Sequence, residues 1–139
     1  MNGKSGDAVT ATTTGLANNA TVSSTADAEG DNTTTGNAVS NVAGAVVTLP
    51  AEVFDTGSQS NYTTTVACTG ATLSGSTPGS TFTMPDNDVI CTYTNTRKTV
   101  TLQLKKTWIN AQLGDAVTVS AAGLANSAGA ALNSVADTA

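Results

Sequence analysis

The sequence predicts an all-β sandwich of about seven short strands, and three features carry that expectation. β-Branched runs recur along the whole chain between clusters of Gly, Asn, Asp and Pro, the punctuation of strands and turns. Charged residues make up only 11% of the composition, whereas a disordered chain usually combines high charge with few apolar groups. The stretch from Val89 to Trp108, VICTYTNTRKTVTLQLKKTW, alternates with period two on both sides of a short polar link. Its first half carries Cys91, Tyr93 and Asn95 on one face, and its second carries Val100, Leu102, Leu104, Lys106 and Trp108.

Taken in order, the expected strands are Ala8 to Thr14, Ala20 to Thr25, Ala38 to Val42, Ala45 to Leu49, Tyr62 to Cys68, Ser80 to Met84 and Val89 to Thr96, each bounded by turn residues. The apolar run AVVTL stops at Leu49-Pro50, because proline cannot donate to a sheet ladder. Asp55 to Ser60 (DTGSQS) reads as a loop, and Ser74 to Ser80 (SGSTPGS) as another that turns at Pro78-Gly79. Pro85 to Asp88 (PDND) makes a tight turn into the strand from Val89.

A repeat sets the organisation. Residues 2–18 (NGKSGDAVTATTTGLAN) match residues 110–126 (NAQLGDAVTVSAAGLAN), with GDAVT and GLAN identical and a constant offset of 108 from Asn2 to Asn110. The match continues from VSSTAD at 22–27 to LNSVAD at 132–137 after a change of two residues in length. The expected organisation is a first repeat module at 1–97 and, at 98–139, the first strand and N-terminal part of the next. In this phase the first module lacks its own first strand, since only Met1 stands before Asn2 where the second copy has LKKTWI.

Charge and cysteine content narrow the function classes. A net charge of −5 with five Lys and Arg leaves no basic surface for counterion release, so nucleic acid is an unfavourable partner, and an anionic membrane surface is disfavoured too. No apolar run approaches the roughly 18 residues of a spanning helix. The polar run NGKSGD follows Met1 where a secretory signal would be apolar, so a fragment whose export signals lie elsewhere is expected. Cys68 and Cys91 both fall on expected strands, and two cysteines with no histidine argue against a structural zinc site. A disulfide is expected, closing a loop of roughly 24 residues for about 3 kcal/mol, and hence an oxidising compartment; two buried free thiols are the alternative.

Lys106 shares a face with Leu102, Leu104 and Trp108, whereas Lys105 falls on the other face. An inward ammonium must be paired, deprotonated or chemically consumed; otherwise it snorkels from the end of the strand to solvent. The runs KKTW at 105–108, VVTLPAE at 46–52, NYTTTVACTG at 61–70 and CTYTNTRK at 91–98 resemble the Cna B-type, or SpaA-like pilin, domains, repeat modules of large bacterial surface adhesins and pili. The resemblance covers about one period. It implies an Ig-like, transthyretin-like β-sandwich and a self-made isopeptide bond between a lysine on the first strand and an asparagine near the end of the last, assisted by an acid. Carried over by motif, these are Lys106, Asn95 and Glu52.

Other constellations are weaker. Asp27, Glu29 and Asp31, and Asp86 with Asp88, could be imagined around calcium, but neither group has the spacing of a known loop, and solvated loop acids are the plainer reading. Serines have no histidine partner. The expectation is therefore a stalk or spacer module of a bacterial cell-surface adhesin or fibrous surface protein, extracellular, without turnover, cofactor or metal, whose partners are neighbouring repeats or other copies of itself. The alternatives are a filament subunit assembled by strand donation between copies, and a glycan- or ice-binding module.

Overall fold

The computed structural model describes residues 4–27, 33–122 and 131–137. Among these residues there is no α-helix; the regular structure is nine strands and one 3-10 turn, Gln59–Asn61. The chain divides into two compact units, Met1–Lys98 and Thr99–Ala139.

The first unit holds seven strands: β1 (Ala8–Thr12), β2 (Thr21–Thr25), β3 (Val46–Thr48), β4 (Val53–Thr56), β5 (Tyr62–Thr69), β6 (Thr81–Thr83) and β7 (Ile90–Arg97). All pairs are antiparallel, in the orders β2-β1-β4, β3-β6 and β5-β7. Beyond the end of β1 the chain changes partner: Thr14 exchanges backbone hydrogen bonds with Thr48 at 3.1 and 2.9 Å, so one run serves two sheets. The core is the space where inward residues of β3, β5 and β6 meet, with Val47 and Leu49 fully buried and Val66 and Phe82 nearly so. Cys91 and Tyr93 of β7, Leu16, Leu73 and Met84 close around it. Val47 and Phe82 lie directly across from one another in the β3-β6 register, so a cross-strand pair forms the floor of the core.

The β5-β7 pair shows its alternation plainly. Tyr62, Thr64, Val66 and Cys68 point inward while Thr63, Thr65, Ala67 and Thr69 stay exposed. Lys98 N–H donates to the Asn61 carbonyl at 2.8 Å. Stepping by two along the register, Thr96 with Thr63 and Thr94 with Thr65 are hydrogen-bonded rungs. The inward rungs, Asn95 with Thr64, Tyr93 with Val66 and Cys91 with Cys68, are the non-hydrogen-bonded ones, at which side chains approach most closely.

Three expected elements differ. Ala38 to Val42 is no strand: Asn41 Nδ2 donates to the Asn18 carbonyl at 2.8 Å and its Oδ1 accepts from the Asn18 N–H at 3.0 Å. Here asparagine side chains supply the partners that a ladder would otherwise give. Within the expected loop Asp55 to Ser60, Asp55 and Thr56 instead finish β4, which pairs with β1 across a bulge at Ala8/Val9 and stacks Phe54 on Tyr62 at 5.5 Å between centroids. Val100 to Trp108 joins no ladder. Its alternation nonetheless persists, with Leu104, Lys106 and Trp108 half-buried and Lys105 and Thr107 exposed.

The second unit is built on the hairpin β8 (Ala116–Ser120) and β9 (Ala131–Val135). Its register, Ala116 with Val135 through Ser120 with Ala131, reproduces that of β1 and β2, Ala8 with Thr25 through Thr12 with Thr21. The bonds that close the open end recur as well. Gly6 N–H to Ala26 O and Ala26 N–H to Asp7 O, both 2.9 Å, correspond to Gly114 N–H to Ala136 O at 3.0 Å and Ala136 N–H to Asp115 O at 2.8 Å. Gly6 and Gly114 have φ of 85 and 89°, a left-handed turn that only glycine enters without strain. Trp108 covers this hairpin, its Nε1 donating to Ser134 Oγ at 2.9 Å.

Candidate functional site

Glu52 and Asn95, 43 residues apart, meet beneath β7. Pro50 ends β3 and Val53 starts β4, so Glu52 sits on the link between them; its side chain turns inward and the residue is 8% exposed. Asn95 lies on the inward face of β7, and its Nδ2 donates to Glu52 Oε2 at 2.6 Å. Across the close rung, Thr64 Oγ1 donates to Asn95 Oδ1 at 2.5 Å. Two residues along, the Tyr93 hydroxyl donates to the Pro50 carbonyl at 2.9 Å and pins the link that carries Glu52.

The electrostatics follow from burial. Loss of solvent raises the Glu52 carboxyl above its ordinary range, and the hydrogen bond from Asn95 offsets part of this. Burial, helped by the negative field of Glu52, pushes the Tyr93 phenol up to about 12, so it remains a neutral donor. The Asn95 amide is thus held with a hydroxyl on its oxygen and a carboxyl, protonated more readily than usual, on its nitrogen. That arrangement suits amide exchange: an amine attacking Cγ would find its developing oxyanion bonded by Thr64. Glu52 would stand beside the departing ammonia to relay a proton from nucleophile to leaving group.

Lys106 is not in this unit. Its Nζ lies 3.9 Å from the centroid of the Trp108 ring and donates to the Thr107 carbonyl at 2.6 Å, so the lysine is occupied by a cation–π contact beside its own backbone. The motif therefore assembles two of its three members, Glu52 and Asn95, in one unit and holds the third in the other. Thr64 and Tyr93 complete the setting of Asn95. Thr64 faces it in the register of YTTTVAC against CTYTNT, a relation that becomes legible once those two strands are paired.

Cys68 and Cys91 form a disulfide, their Cα atoms 4.0 Å apart on a close rung of β5-β7. Another polar pair that sequence reading missed is Asp7 with Tyr62. Asp7 is 8% exposed, the Tyr62 hydroxyl donates to its Oδ2 at 2.6 Å, and the Lys4 N–H donates to the Tyr62 oxygen at 2.9 Å. The signal was present in the repetition of GDAVT at Asp7 and Asp115.

Of the acids imagined around calcium, Glu29 and Asp31 lie outside the described residues. Asp86 and Asp88 flank a turn that Asn87 closes, its Nδ2 donating to the carbonyls of Gly70 and Asp88 at 3.1 and 2.9 Å. No helix among the described residues is long and apolar enough to cross a membrane. No family model matches the chain, and no curated protein or solved structure does either.

Proposed function

We propose that the chain is a structural repeat module, a stalk or spacer, from a bacterial cell-surface adhesin or fibrous surface protein. The observation that carries this reading is the second hairpin, which recurs 108 residues after the first with the same register and the same closing bonds. A chain that rebuilds one supersecondary unit at a fixed period is organised as an array, and arrays serve to set distance and to bear load. The disulfide belongs to an oxidising compartment and ties the strand that ends the module to its neighbour.

In this reading Glu52 and Asn95 form half of a covalent staple. The Nζ of a lysine from a strand laid along β7 attacks Asn95 Cγ, its proton passes by way of Glu52 to the leaving nitrogen, the Cγ–Nδ2 bond breaks, ammonia leaves, and an amide joins the two strands. Lys106 supplies that amine to the β7 of another module. The protein turns nothing over, because the product is its own cross-linked chain.

Intact-mass measurement tests the staple and the disulfide separately. The expected masses are lower by two hydrogens before reduction and, wherever a lysine strand has met Asn95, by one ammonia that Asn95→Ala or Glu52→Gln prevents from leaving. A species that never loses ammonia in a chain of two or more periods would remove the isopeptide from the proposal. Specific binding to glycans or ice by a whole module would replace the spacer reading with a binding one.

A further inference from the structure

Among the described residues, the outer edge of β7 has no strand beside it. Since Lys98 N–H and the even-numbered residues of β7 face β5, the N–H and C=O groups of Cys91, Tyr93, Asn95 and Arg97 point the other way. Among the described residues no strand pairs with them. The far edge of β5 differs, because Val66 N–H there donates to the Ser76 carbonyl at 2.9 Å. A bare edge four rungs long, with half-buried Cys91, Tyr93 and Asn95 at its base, is a template for a further strand.

Residues 100–106 have the complementary properties. They join no ladder, and Val100 and Leu102 are 95% and 54% exposed. The stretch 99–108 carries Lys105 and Lys106 and no acid, whereas residues 1–98 carry eight carboxylates against Lys4, Arg97 and Lys98. We infer that β7 accepts residues 100–106 of a second copy of this chain as a parallel strand. The register sets Val100 beside Val89, Leu102 beside Cys91, Leu104 beside Tyr93 and Lys106 beside Asn95, within reach of the Glu52 carboxyl.

Pattern selects this register. An antiparallel strand that brought Lys106 to Asn95 would set Leu104 against Arg97 and leave Leu102 past the end of β7. The chain cannot make the parallel pairing with itself, because only Lys98 and Thr99 separate Arg97 from Val100, while a parallel crossover needs about a dozen residues. Each copy therefore offers one acceptor edge and one donor segment. The contact is head-to-tail and open-ended, so copies add in a row. This rests on the staple reading for the placing of Lys106 beside Asn95 and deepens it by naming the strand and its register; a module whose edge stays bare is still a spacer.

Light scattering after size exclusion, from micromolar to millimolar chain, together with amide hydrogen exchange, tests the inference. Mass should climb in steps of the 13.7 kDa chain, and the amides of Cys91, Tyr93, Asn95 and Arg97 should slow in step with it. Excess synthetic peptide of residues 99–109, added before the chain is concentrated, should hold it as monomer. Lys106→Glu and Leu104→Asp should each raise the concentration at half-assembly roughly tenfold or more, whereas Lys105→Glu, on the other face, should do less. Since 104 and 106 lie outside the core of the first unit, unchanged tyrosine emission at low concentration shows that the acceptor remains folded. A monomer at every concentration overturns the inference. So does protection of the four amides already in the monomer, or assembly indifferent to both substitutions.

Discussion

The hairpins β1-β2 and β8-β9 share a register and a set of closing hydrogen bonds, but they live in different surroundings. In the first, β4 pairs with β1, Ala11 is 5% exposed, and Asp7 lies buried against Tyr62. In the second, Val119 stands at the position of Ala11 and is 39% exposed, while Asp115, at the position of Asp7, is exposed and accepts from the Gln112 N–H at 3.1 Å. Hairpin geometry is thus a local product of the turn glycine and the pairing of two β-branched runs. Burial, and with it most of the stabilisation, comes from what packs on the hairpin afterwards.

The tryptophan and the two tyrosines make this comparison measurable, because Trp108 reports on the second unit and Tyr62 and Tyr93 report on the first. The largest expected effect is from Leu49→Ala, which empties a fully buried core position and should destabilise the first unit by about 2–5 kcal/mol. In urea the tyrosine transition should move and the Trp108 transition should not; if both move equally, the two units do not unfold separately.

Exchanging the residues that differ between the hairpins sharpens the comparison. Ala11→Val adds two methyl groups at a buried position, and overpacking of this kind costs about 1–3 kcal/mol. Val119→Ala, at the more open site, should stay within about 0.5 to 1 kcal/mol. Equal effects at the two positions would show that the hairpins share an environment as well as a register.

Tyr62→Phe takes the hydroxyl from buried Asp7 and should cost the first unit about 1–3 kcal/mol, read from the urea midpoint followed by Tyr93 emission. Asp115→Asn, at the corresponding position of the open hairpin, should leave the Trp108 transition nearly where it was. A silent Tyr62→Phe would mean that Asp7 finds water instead.

The smallest expected effect is a slope with pH. Burial raises the Glu52 carboxyl above its ordinary 4.5, so the folded chain holds this proton more tightly than the unfolded chain does. The stabilisation is full below 4.5 and is lost as pH rises through the raised folded value. The urea midpoint of the first unit should therefore fall between acid and neutral pH more steeply in the native protein than in Glu52→Gln. If the two slopes coincide, Glu52 is not the buried proton binder.

Much of this was legible in the chain because the signals are local. Alternation in YTTTVAC and CTYTNT gives β5 and β7 their faces, Pro50 ends β3, and the repetition of GDAVT and GLAN anticipates a second hairpin. The pairing of Cys68 with Cys91 follows from two cysteines on two such strands. β4 was hidden because VFDT is short and runs into the turn signal of Asp55 to Gly57, and its strand geometry exists only where β1 offers a partner. The reverse holds for Ala38 to Val42 and Val100 to Trp108, whose β-type patterns find no ladder.

By itself the sequence determined which residues favour extended backbone, which face of each run is apolar, where the turns fall, and that one unit recurs. These are set by φ/ψ preferences and side-chain periodicity, which act over a few residues. Tertiary structure alone decided that Glu52, from a link broken by proline, lies under Asn95, that Thr64 and Tyr93 hold that pair in place, and that Asp7 is buried while Asp115 is not. Such outcomes depend on which strands become neighbours. A buried polar group is tolerated only where distant chain supplies its hydrogen-bond partner.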